Sequence, residues 1–139
     1  MKENTLTNLK SAGHKITPVR SALISIFRKN TSPLSISELL EKLKSLNLKP
    51  NKTTVYREID FLIKQNLISG VDFGEGKKRY EGSSGAHHHH IICVNCKKIK
   101  DVQMDRDLDL FNAKIAKQAG YKPAGHSLEF FGLCPTCQR

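Results

Sequence analysis

A chain of 139 residues and 15.6 kDa holds one ordinary domain or two small ones, which excludes a large multidomain enzyme. Hydrophobic residues make up 38%, enough for a modest core, and 23 Lys and Arg against 13 Asp and Glu leave a net charge of +10, which points to a polyanionic partner. The charge is uneven: residues 1–80 hold 15 basic and 7 acidic side chains, residues 81–139 only 8 and 6. No apolar run approaches the roughly 18 residues of a membrane span, so the expectation is a cytoplasmic protein with no membrane partner. Four cysteines in that reducing compartment favour metal over disulfides.

The first predicted helix starts at Thr17-Pro18, a capping residue followed by proline at the first helical position, with Leu23, Ile24 and Phe27 at helical spacing. A second starts at Ser35-Ile36-Ser37-Glu38, a capping box, and its buried stripe is Leu39, Leu40, Leu43 and Leu46. Asn51 caps a third, whose apolar positions Val55, Ile59, Leu62 and Ile63 fall at i, i+4, i+7 and i+8. Residues 67–73 and 77–80 form strands around the turn Gly74-Glu75-Gly76. Helices followed by such a hairpin predict a winged helix-turn-helix over residues 1–81. The short Gly-Ser stretch supplies a hinge at 82–86, and residues 87–139 form a second domain. In that domain 87–94 and 97–102 read as strands, Leu108, Phe111 and Ile115 mark an amphipathic helix ending at Gly120, and His126 to Leu133 reads as a further strand. The expected class is α+β, a winged helix followed by a small α/β domain stabilised by zinc.

A helix that reads the major groove needs one apolar face to hold it and one polar face to reach the duplex. The third predicted helix has both. Tyr56 and Arg57 reach bases or backbone, Thr53 and Thr54 donate to phosphates, and Lys77, Lys78 and Arg79 on the hairpin flank the duplex. Lys15 and Arg20 extend the same basic surface. Ordinary solvated charge is the competing reading, since most charge runs are that.

Cys93-Val94-Asn95-Cys96 and Cys134-Pro135-Thr136-Cys137 use every cysteine, with 37 residues between them. Each Cys-x-x-Cys offers two thiolates from one tight knuckle, and two knuckles close a tetrahedral site for structural Zn²⁺. The run His87-His88-His89-His90 lies beside the first pair. In a strand, His87 and His89 share one face while His88 and His90 share the other, which gives two back-to-back sites for a divalent metal. A catalytic metal is not expected, because the chain carries neither an HExxH helix nor a phosphate-cradling GxxxxGK[ST] loop.

In order, Thr17-Pro18-Val19-Arg20, Thr53-Thr54-Val55-Tyr56-Arg57, a His-rich strand with Cys-x-x-Cys, then His126-Ser127-Leu128 and a last Cys-x-x-Cys cover nearly the whole chain. This pattern resembles the ferric uptake regulator family of metal-dependent bacterial repressors. The resemblance implies a homodimer that binds double-stranded, palindromic DNA operators under divalent-metal control, repressing metal-uptake or metal-homeostasis genes. It assigns Cys93, Cys96, Cys134 and Cys137 to structural zinc. It assigns His87, His89, Asp109 and His126 to a metal site in the dimerisation domain, with His89 where an aspartate is often found. It assigns Glu81, His88, His90 and Asp101 to a regulatory site at the hinge. The family usually adds a histidine from just before the second helix, whereas Asn30-Thr31-Ser32-Pro33-Leu34-Ser35 contains none. Ligation by nitrogen and oxygen suits Fe²⁺, Mn²⁺ or Zn²⁺. A peroxide-sensing regulator is the alternative within the family, and a zinc-stabilised metal-binding or interaction module without operator specificity is the alternative outside it.

Overall fold

The structure is a computed structural model that describes residues 4–83, 87–104 and 108–139, and of Asp109 only the backbone. The chain divides into two compact units, Met1–Gly85 and Ala86–Arg139. The predicted hinge at 82–86 lies largely outside the described residues.

In the first unit the helices are α1 (Thr5–Ser11), α2 (Pro18–Lys29), α3 (Ile36–Ser45) and α4 (Lys52–Lys64). Three of them start where the capping residues say they should. Thr17 Oγ1 accepts from Arg20 N at 3.1 Å, and Asn51 Oδ1 accepts from Thr54 N at 2.8 Å. Ser35 and Glu38 form the full capping box, Ser35 N donating to Glu38 Oε2 at 2.6 Å and Glu38 N to Ser35 Oγ at 3.3 Å. Two helices end alike: Asn47 after α3 and Asn66 after α4 adopt the left-handed region, so Leu48 N returns to Leu43 O and Leu67 N to Leu62 O, each at 3.0 Å. That turn drops Leu48 and Leu67 back onto the core.

The core joins Leu23, Ile24 and Phe27 of α2, Leu39 and Leu43 of α3, and Val55, Ile59 and Leu62 of α4. Leu46 and Ile63, expected in the buried stripes, are 53% and 39% exposed. Leu46 is the cap of α3, where the helical phase has already been lost, and Ile63 sits at the edge of its stripe. Strands β1 (Leu34–Ser35), β2 (Ile68–Asp72) and β3 (Lys78–Gly82) form an antiparallel sheet in the order β1-β3-β2. The β2–β3 hairpin is the wing, and Asp72 Oδ1 accepts from Gly74 N at 2.8 Å to start its turn.

The wing is fastened to α3 through a buried arginine. Arg79, with 8% of its side chain exposed, donates from Nη1 to Glu38 at 2.9 Å and from Nε to Glu75 at 3.0 Å. For Glu38, burial raises the carboxyl pKa, but the Ser35 N–H, the Ser35 hydroxyl and Arg79 outweigh it and leave the pKa below the ordinary 4.5. A carboxylate lowered on folding stabilises the fold above its unfolded pKa, and that contribution is lost as pH falls through the lowered value. As pH falls below the ordinary 4.5, wild-type thermal stability should therefore drop more steeply than that of Glu38→Gln, which keeps the cap but has no charge to titrate. Equal slopes in a melting series would refute this.

The second unit contains β4 (His89–Cys93), β5 (Ile99–Val102), α5 (Asp109–Ala119) and β6 (Glu129–Gly132). Its sheet runs β5-β4-β6, with β5 antiparallel and β6 parallel to β4. Helix α5 ends on left-handed Gly120, as predicted. Among its described hydrophobic residues only Ile92 and Cys93 are buried, while Leu110, Phe111, Ile115, Phe131 and Leu133 are exposed. Among the described residues this unit buries little apolar surface of its own and leaves an apolar face open. Among the described residues, no helix is long and apolar enough to cross a membrane.

Candidate metal centres and nucleic-acid face

The parallel register pairs Cys93 with Gly132, so the chain leaving β6 delivers the second cysteine pair to the end of β4 that carries the first. Around Cys93 the turn is tight: Lys97 N returns to Cys93 O at 2.9 Å, with Lys97 in the left-handed region. At the carboxy end Cys137 N returns to Cys134 O at 2.9 Å. One sulfur from each of the four cysteines lies within 4.8 Å of the others. Cys96 Sγ and Cys134 Sγ are 3.7 Å apart, against about 3.8 Å for the edge of a tetrahedron with Zn–S bonds of about 2.3 Å.

The thiols are prepared for a cation. Backbone N–H groups, that of Cys134 first and then those of Cys96 and Asn95, lower Cys93 to about 6, and the backbone at Cys137 lowers Cys134. Cys137 receives a bond from Asn95 that lowers it, yet crowding by Cys134 and burial push it up to about 11. Four sulfurs this close cannot all ionise without a cation among them, and a closed four-sulfur set suits zinc.

Strand β4 begins at His89, yet the alternation of the histidines extends to the two residues before it. On one side His87, His89 and His126 each offer a nitrogen within 4.8 Å of the others. His89 Nδ1 lies 3.2 Å from the Leu128 carbonyl, which can only accept, so the ring proton sits on Nδ1 and Nε2 is left as the ligand atom. On the other side His88 Nε2 and His90 Nε2 are 3.2 Å apart. Adjacent positions around one ion with metal–nitrogen bonds of about 2.0–2.1 Å are roughly 3.0–3.4 Å apart, so the pair fits a shared first-row cation. Asp101, paired with His90 across β4 and β5, places Oδ1 3.7 Å from His90 Nε2. Asp109 opens α5, but its side chain lies outside the described residues. Glu81 lies on β3 in the first unit.

On α4, Thr53, Tyr56 and Arg57 are exposed and Thr54 is half-buried. Lys15 and Lys77 are exposed as well. Between α4 and the wing runs an open groove of about 420 Å³ lined by Lys52, Tyr56, Lys77 and Lys78, a surface suited to a polyanion. Two of the basic residues assigned to that surface point elsewhere. Arg79 is buried between Glu38 and Glu75, and Arg20 keeps only 13% of its side chain exposed, with its guanidinium engaged by Glu58. Both are paired internally, because an arginine buried against a low-dielectric core needs a carboxylate beside it.

A family model described as the ferric uptake regulator family matches residues 11–131. The ferric uptake regulation protein of Synechococcus elongatus is 33% identical over 134 residues, covering 94% of this chain and 90% of that protein. The Helicobacter pylori ferric uptake regulator, whose structure reveals three functional metal-binding sites, superposes with a TM-score of 0.78 at 28% identity, covering 99% of this chain and 91% of that one. The ferric uptake regulator of Francisella tularensis, solved with iron, gives a TM-score of 0.77 at 27% identity over 91% of this chain and 96% of its own.

Proposed function

This chain belongs to the ferric uptake regulator family of metal-responsive, non-enzymatic transcriptional regulators, and we propose that it represses metal-uptake or metal-homeostasis genes by binding palindromic operators as a homodimer. Zn²⁺ on Cys93, Cys96, Cys134 and Cys137 is structural. A second divalent ion, Fe²⁺, Mn²⁺ or Zn²⁺, is the signal. The observation that carries the reading is the histidine triad of His87, His89 and His126, which stands apart from the four sulfurs and offers nitrogen where the cysteines offer thiolate. A chain needing metal only for folding has no use for a second, differently ligated cluster.

Twofold symmetry of a dimer demands a palindromic site, with one copy of α4 in each of two successive major grooves. The exposed apolar residues of α5 and β6 supply the surface that a second copy covers. Tyr56 and Arg57 reach bases or backbone in the groove, Thr53 and Thr54 donate to phosphates, and Lys15 and Lys77 hold phosphates. Asp109 completes the triad, while Glu81 and Asp101 join His88 and His90, as the family pattern assigns them.

Metal biases DNA binding only through differential affinity for the two states of the protein. The triad lies wholly in the second unit, where it stiffens the sheet and the dimer surface together. The set of His88 and His90 lacks the family's histidine near Ser32. His126→Ala should therefore damage metal-dependent DNA binding at least as much as His90→Ala. Titrating Mn²⁺, an oxidation-resistant substitute for Fe²⁺, into both variants while following retention of a selected promoter duplex over random DNA tests this. Loss of the response only in His90→Ala would reverse the assignment, and equal affinity for promoter and random DNA in every metal state would remove the regulator reading.

A further inference from the structure

We infer that Arg20 is a positioning residue for Lys15, setting where that exposed lysine stands relative to α4; the inference rests on the DNA-binding reading above. Lys15 lies in the irregular segment between α1 and α2, where regular backbone hydrogen bonds do not hold it. Its carbonyl accepts from Arg20 Nη1 at 2.6 Å. The same guanidinium donates from Nε and Nη2 to the two carboxylate oxygens of Glu58 at 2.8 and 3.1 Å, and its carbon lies 3.7 Å from the centre of the Phe61 ring. His14, next to Lys15, meets the same ring edge-on, with centroids 5.0 Å apart.

Glu58 and Phe61 are three apart on α4, Glu58 directly following Arg57 and Phe61 one turn beyond it. Arg20 therefore uses both edges and one face of its plane to connect the Lys15 backbone to the helix that reads the groove. A lysine cannot replace it, since one ammonium cannot bond a carboxylate in bidentate fashion, reach a carbonyl and stack at once. His14 and Ile16 hold the segment on either side, His14 N bonding Leu9 O at 3.0 Å and Ile16 packing on the core, so what Arg20 adds is the orientation of the Lys15 peptide relative to α4. Without that bond Lys15 samples more orientations, and the entropy of fixing one is subtracted from the affinity.

A double-mutant cycle on the full-length, metal-loaded protein separates this role from general support of the fold. The probe is a duplex selected from random sequence by the wild-type protein. Arg20→Lys should weaken binding roughly 3- to 10-fold, but under about 2-fold once Lys15→Ala is present, because it acts through Lys15. It should also flatten the salt dependence as Lys15→Ala does, by about one unit of slope per chain. Glu58→Gln, which loosens the α4 end of the tie and leaves Arg20 in place, should show the same dependence on Lys15 and stands in if Arg20→Lys unfolds. Equal losses in both backgrounds would overturn the inference, leaving Arg20 a support of α4 alone. Wild-type affinity and salt slope in Lys15→Ala would instead remove Lys15 from the DNA surface, and the inference with it.

Discussion

Cys96→Ser should abolish retention of one Zn²⁺ per chain and unfold the second unit, taking the dimer with it. Cys96 is exposed, so serine there creates no cavity and the change tests the thiolate alone. The reason for so large an effect is the scarcity of core: Ile92 and Cys93 are the buried hydrophobics of that unit among the described residues. Apparent binding energies for structural zinc of about 10–16 kcal/mol exceed the whole stability of many domains, about 5–15 kcal/mol. Metal analysis after mild chelation, far-ultraviolet circular dichroism and sedimentation together read the outcome. The first unit, whose core is its own, should retain its helical signal. A Cys96→Ser dimer of normal stability would rule out the structural role.

Operator affinity should fall roughly 10³- to 10⁵-fold between about 50 and 200 mM salt, as expected when about 6–10 phosphates are neutralised. The count follows from exposure rather than from composition. Lys15, Lys52, Arg57, Lys77 and Lys78 are exposed, whereas Arg20 and Arg79 are paired internally and release no counterions. Two copies of these five, which line or flank the groove of α4 and the wing, present about ten cations, the upper end of that range. Lys77→Ala should weaken all sequences alike and flatten the slope, while Tyr56→Ala should relax sequence preference and leave the slope nearly intact. Binding that does not respond to salt would exclude a phosphate-contacting interface.

What the chain determines by itself is whatever depends on near neighbours in sequence. Thr17, Ser35 and Asn51 cap helices because each accepts a backbone hydrogen bond from three residues on, a distance that any spacing argument sees. The period of two divides the histidine run into two faces, and His87 pairs with His89 and His88 with His90 as that period requires. Two Cys-x-x-Cys pairs announce a four-sulfur site through spacing alone. Helix α1 was not legible, since it is short and has no side-chain cap, and β1 exists only because Leu34 and Ser35 pair with Tyr80 and Arg79.

The tertiary structure alone decided which charges face solvent. Arg20 and Arg79 read as members of a basic surface, yet Glu58 lies 38 positions from Arg20, and Arg79, besides the nearby Glu75, is held by Glu38, 41 positions away. A charge run has the same composition whether water or a distant carboxylate neutralises it. The choice is made by helix packing, because desolvation next to a core makes an internal partner obligatory. The same holds for the parallel register of β4 and β6, which alone brings Cys134 and Cys137 to the end of the sheet where Cys93 and Cys96 stand, a long-range pairing that no local periodicity encodes.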